Sequence, residues 1–180
     1  LTNTTISATV KGGSKAGGDV TLTAPNVMLT GGAITAATQG TGPAGSIELN
    51  VGPLIVQGDA QISSSSTGPG PVTGAAGTIT VQGLSGAGTL ATSVTLQNGQ
   101  LLTSATGSGA GGSIVVHTPT VTLDQATISA TTAAGDAGGL TFTDAKSFTS
   151  TNSSLTTEAT TGKGGTIAIG SAGATSINLT

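Results

Sequence analysis

Small aliphatic residues alternate with Thr, Ser and other polar or small residues in short bursts along most of the chain, and Gly, Pro, Asn or Ser separates each burst from the next. Alternation at period two marks a strand with one buried face, and the separating residues are those of turns. The pattern predicts strands and corners rather than helices. The bursts come in threes: Val20/Leu22, Val27/Leu29 and Ile34/Ala36, with Thr21, Met28 and Thr35 at intervening, outward positions. The same spacing returns as Ile114/Val116, Val121/Leu123 and Ile128/Ala130.

Each first burst follows Ala or Gly, then Gly, then one variable residue. The motif reads Gly17-Gly18-Asp19-Val20, Ala44-Gly45-Ser46-Ile47, Ala76-Gly77-Thr78-Ile79, Gly111-Gly112-Ser113-Ile114, Ala137-Gly138-Gly139-Leu140 and Gly164-Gly165-Thr166-Ile167. Successive copies lie 27, 32, 35, 26 and 27 residues apart, so the unit is about 27 residues and two units carry insertions. A strand that turns a corner so soon cannot pair within its own unit and must pair, in parallel, with its equivalent in the next. The expected fold is all-β, a parallel β-helix (β-solenoid) of about six three-sided coils spaced about 4.8 Å apart. Inside it, Val20, Ile47, Ile79, Ile114, Leu140 and Ile167 should form the clearest ladder of like on like. Fixing a residue costs about 1–2 kcal/mol and a buried aliphatic returns about 1.5–3 kcal/mol, so a lone coil with few inward aliphatics needs neighbours above and below. Corners reverse the chain in a few residues, so nearly every Gly is expected to serve a corner, often at positive φ.

Composition narrows the function. Of 180 residues, 6% are charged and 1% aromatic, with 31 Gly, so small aliphatics must do the packing. A net charge of −3 without any Arg leaves no basic surface for phosphates, which argues against nucleic acid as a partner. The absence of Cys removes disulfides, thiolate metal sites and cysteine nucleophiles. No apolar run approaches the roughly 18–20 residues of a membrane span, and no leader opens the chain, so no membrane insertion is expected and any export signal lies outside.

Segment 68–74 lengthens one corner, between a third side and the next first side, and segment 84–90 lengthens another, between a first and a second side. Both lack charged and aromatic residues. Leu1 and Leu179 read as ends of second sides, which predicts one β-helix segment over 1–180, a piece of something longer or a unit that stacks end to end.

Catalysis on this fold would need clustered carboxylates. Asp19, Glu48, Asp59, Asp124, Asp136, Asp144 and Glu158 scatter by repeat position, which predicts solubilising surface charges. His117, the single histidine, alternates outward beside Thr118-Pro119, with no second ligand or nucleophile in view. Ala16-Gly17-Gly18-Asp19-Val20 matches the calcium-binding nonapeptide of β-rolls poorly. Accordingly no catalytic, cofactor-binding or metal-binding residue is expected. Outward Ser and Thr are frequent (Ser7/Thr9, Thr35, Ser63/Ser65, Ser129/Thr131, Thr156), but the Thr-x-Thr row of the first side, Thr21/Thr23 and Thr141/Thr143, is interrupted by Glu48/Asn50, Val115/His117 and Ala168/Gly170, which argues against ice binding. Asn3, Asn152 and Asn178 begin sequons that so Ser- and Thr-rich a chain produces by chance.

The motif [AG]-G-x-[IVL]-x-[LVF], with Thr-Ile-Ser-Ala-Thr at 5–9 and again at 127–131, resembles the repeats of filamentous haemagglutinin-like exoproteins, bacterial adhesins of the two-partner secretion type. The resemblance spans the chain but carries structural residues alone. It implies a right-handed parallel β-helix, export in unfolded form, and a stalk or adhesive fibre at the bacterial surface. The expected role is therefore a structural or adhesive segment of an extracellular fibre, whose partners are adjoining coils, copies of itself, or host or neighbouring-cell glycans and receptors. The alternative is a carbohydrate- or receptor-binding module using 68–74 and 84–90. A polysaccharide-degrading enzyme ranks behind both.

Overall fold

A computed structural model describes residues 1–170 and 176–180. All regular structure among them is β-strand, wound as a parallel solenoid of about six three-sided turns. The first side stacks Val20–Ala24, Ile47–Val51, Ile79–Gln82, Ile114–His117, Leu140–Thr143 and Ile167–Gly170. The second side stacks the first half of Val27–Thr38 with Pro53–Gln57, Ser93–Gln97, Thr120–Asp124, Ser147–Thr151 and Ser176–Leu179. The third side stacks Thr2–Val10, the second half of Val27–Thr38, Gln61–Ser66, Gln100–Ala105, Thr127–Thr132 and Ser154–Ala159. Val27–Thr38 runs through its corner unbroken because Gly31 and Gly32 bend it at φ 63° and 74°. That continuity joins the second and third sides into one bent sheet.

Register carries the core. On the first side Val20 pairs with Ile47, Ile47 with Ile79, Ile79 with Ile114, Ile114 with Leu140, and Leu140 with Ile167. All but the last are buried; Ile167, on the end coil, is 42% exposed because nothing lies beyond it among the described residues. Phe142 and Phe148 meet edge to face inside one coil, their centroids 5.0 Å apart, the arrangement aromatic rings favour.

The third side departs from an all-aliphatic interior. Behind the ladder of Ile34, Ile62, Leu101 and Ile128, the inward positions are Ala36, Ser64, Thr103 and Ala130, then Thr38, Ser66, Ala105 and Thr132. The buried hydroxyls reach across to glycine carbonyls at the third corner: Ser64 Oγ donates to Gly45 O (2.8 Å), Thr103 Oγ1 to Gly112 O (2.7 Å) and Thr132 Oγ1 to Gly109 O (2.6 Å). Ser64 Oγ also accepts from Gly77 N. No buried side-chain nitrogen or oxygen among the described residues lacks a partner, as interior polar groups require.

The motif glycines do not follow the expectation of positive φ. Gly45, Gly77, Gly112, Gly138 and Gly165 lie outside the left-handed region, and each is needed for room: a Cβ there would overlap the carbonyl of the equivalent glycine one coil earlier. A second column, Gly42, Gly74, Gly109, Gly135 and Gly162, is packed the same way. Positive φ recurs instead at the second corner, through Asn3 (48°), Asp59 (62°), Asn98 (53°), Gln125 (52°) and Asn152 (49°) together with Gly31, Gly32 and Gly58; Asp144 (66°), at a first corner, is the other non-glycine case among the described residues.

Candidate functional site

The carboxylates are placed by the coils, and they act between coils. Asp19 Oδ1 accepts the backbone N–H of Ser46 at 2.7 Å, and Asp136 Oδ1 accepts that of Lys163 at 2.9 Å, each 27 residues on. Asp59 Oδ1 accepts from Asn98 Nδ2 at 2.7 Å, and Glu48 Oε1 from Gln82 Nε2 at 2.9 Å. Four of the seven acids thus clip one coil to the next, a more specific role than the solubilising charge expected of them. No group of three His, Cys, Asp or Glu that could hold a metal occurs among the described residues.

One polar network lies buried on an outer face. Asn50 (8% exposed) and Gln82 (5%) share a first-side column that begins at Thr23, and Gln82 Nε2 donates to both Glu48 Oε1 and Asn50 Oδ1. The 84–90 insertion comes beside Gln82: a Cβ on Gly86 would lie 3.9 Å from Gln82 Nε2. That loop closes on itself through Gly83 N to Thr89 O, Gly86 N to Gly83 O and Thr89 Oγ1 to Gly86 O. Leu84 and Leu90 stay exposed on it. His117 is half-buried at the end of its first-side strand, paired with Thr143.

The other insertion leaves the third corner. Residues 69–72 protrude into solvent, while Thr73 Oγ1 accepts from Gly107 N and Gly74 returns to the glycine column. The two loops therefore belong to different corners and do not line a shared cleft. Depressions flank the protrusion along the third corner. One, of about 340 Å³, is lined by Lys11, Ser14, Gln39, Thr41 and Pro69. The other, of about 390 Å³, crosses three coils and is lined by Ser104, Thr106, Thr131, Glu158 and Thr160. An apolar hollow of about 270 Å³ opens at the first coil between Leu1, Ile6, Leu22, Val27 and Met28.

Register also sorts the hydroxyls. Ser7, Thr35, Ser63, Ser129 and Thr156 share one outward column of the third side, interrupted by Leu102. Thr9, Ser65, Ser104 and Thr131 share the next, interrupted by Ala37 and ended by Glu158. The hydroxyl-rich face is thus the third side rather than the first. The groove at Glu158 and the network at Gln82 were both missed in the sequence, and Gln82 gave one signal: a long amide at an outward position directly before an insertion.

No helix among the described residues is long and apolar enough to cross a membrane. Comparison with family models, with curated proteins and with solved structures finds no match, so nothing there identifies a filamentous haemagglutinin-like family.

Proposed function

We propose that this solenoid is a structural segment of an extracellular bacterial surface fibre or large exoprotein, and that it is not an enzyme. The observation that carries the reading is the unbroken register of the ladders: every coil uses its neighbour as template, and even carboxylates are employed in holding coils together. An architecture of this kind supplies length and stiffness. The proposed partners are adjoining coils or further copies of the chain, since a parallel solenoid grows by stacking coil on coil. The resemblance of the repeat motif to filamentous haemagglutinin-like adhesins supports the extracellular setting. Electron microscopy of the secreted protein that contains this segment, with an antibody raised against 69–72, tests it. Label at intervals along surface rods is expected; label confined to the cytoplasm, or polysaccharide cleavage by the purified chain, overturns it.

A second reading, a carbohydrate-binding module, is favoured by the third-corner groove rather than by the two insertions. Ser and Thr hydroxyls and the Glu158 carboxylate line it without a cation among them, which suits hydroxyl-rich neutral saccharides over anionic ones. Binding of neutral oligosaccharides that is lost in Glu158→Gln supports this reading, and a neutral-glycan array without a hit dismisses it.

A further inference from the structure

Asn98 is the one asparagine in the chain followed by glycine, and the fold demands both residues. Asn98 occupies the left-handed region at φ 53°, which Asn tolerates better than most side chains. Gly99 packs so that a Cβ would overlap the Val56 carbonyl oxygen. In an Asn-Gly pair the glycine nitrogen, unshielded by a side chain, can attack the asparagine Cγ. The N–Cγ bond forms, the Cγ–Nδ2 bond breaks, ammonia leaves with the proton of the attacking nitrogen, and water opens the succinimide to aspartate or isoaspartate.

We propose that Asn98 is the deamidation site of this solenoid, and that Asp59, one coil earlier, holds it inert while the coils are stacked. The Asn98 side-chain amide is exposed to water but tied, Nδ2 donating to Asp59 Oδ1 at 2.7 Å. Its backbone is tied on both sides, Asn98 N donating to Asp124 O at 2.9 Å and Asp59 N to Asn98 O at 2.8 Å. Cγ reaches the Gly99 nitrogen only if the amide swings away from Asp59 and gives up a hydrogen bond to a charged group. Conversion replaces that donor with a second carboxylate facing Asp59, and isoaspartate lengthens the backbone at a corner whose register is shared by all coils. The reaction therefore unclips Pro53–Gln57 from Ser93–Gln97, strands now paired residue for residue.

The test follows ammonia loss at 98 by peptide mass spectrometry, with enzymatic methylation to detect isoaspartate, during incubation in mildly alkaline buffer. Folded and urea-unfolded wild type are compared with Asp59→Gly, which removes the acceptor and gives this corner the double glycine already present at Gly31-Gly32. Expected is slow conversion in the folded wild type and conversion about tenfold faster in folded Asp59→Gly, the factor for one hydrogen bond to a charged group, with equal rates once both are unfolded. Asn98→Gln, which copies the residue type found as Gln125 at the equivalent corner, should abolish the signal. Equal rates in folded and unfolded wild type overturn the proposal without reference to any variant, and so does a folded Asp59→Gly that converts no faster than wild type.

Discussion

At the second corner the chain enters the left-handed region in turn after turn, through Asn3, Gly31, Asp59, Asn98, Gln125 and Asn152. At the third corner it passes through two columns of glycines, from Gly42 to Gly162 and from Gly45 to Gly165, whose φ is ordinary and which are glycine because successive backbones approach too closely to admit a Cβ. Both corners reverse the chain, yet one is limited by torsion and the other by space. Torsion can be met by side chains that tolerate positive φ and add hydrogen bonds along the stack, as Asn98 does to Asp59. Space can be met by glycine alone. Close approach also turns glycine carbonyls toward the interior, where Ser64, Thr103 and Thr132 satisfy them. The polar interior of the third side is thus the counterpart of the glycine columns.

The comparison can be broken most severely on the strand leaving the third corner. Ile114→Asp places an unpaired charge among fully buried ladder residues and should cost at least about 3 kcal/mol in urea unfolding; a smaller loss would mean that the first side is not the core. Gly112→Ala should cost about 2–3 kcal/mol, since the new methyl overlaps the backbone of Gly77. Asn152→Gly, at the torsion-limited corner, should stay within about 0.5 kcal/mol. Similar costs for these two would erase the distinction between the corners.

Thr103→Val keeps the shape but leaves the Gly112 carbonyl without its donor, an expected loss of about 1–3 kcal/mol. Ser104→Ala, one residue on and facing outward, should be near neutral by the same urea unfolding. Gln125→Asn retains positive φ with a side chain better suited to it and should gain about 0.5 kcal/mol. Deleting 69–72 shortens an exposed loop but removes the Pro71 carbonyl that accepts from Ser108 N at 2.8 Å, so it should cost about 0.5–1.5 kcal/mol; a larger loss would show that the protrusion packs more widely against the next coil.

The hydrophobic pattern by itself determined the strands, the three sides, the parallel register and the ladder from Val20 to Ile167, because a period-two burst repeated every 27 residues or so has one packing that buries every burst. It also placed both insertions on their corners. It could not determine why each glycine is there. Torsion and crowding leave the same letter in a sequence, and the distance from Gly112 to Gly77 exists only after the chain between them has wound once around the core. The inward hydroxyls were legible in part, since Ser64 and Thr103 follow Ile62 and Leu101 at period two, but their acceptors come from the facing corner. The clips from Asp19 to Ser46 and from Asp59 to Asn98, the burial of Gln82 beside its loop and the groove at Glu158 were decided by tertiary structure alone. Each joins residues that are neighbours across coils, and insertions of different length set which residues those are.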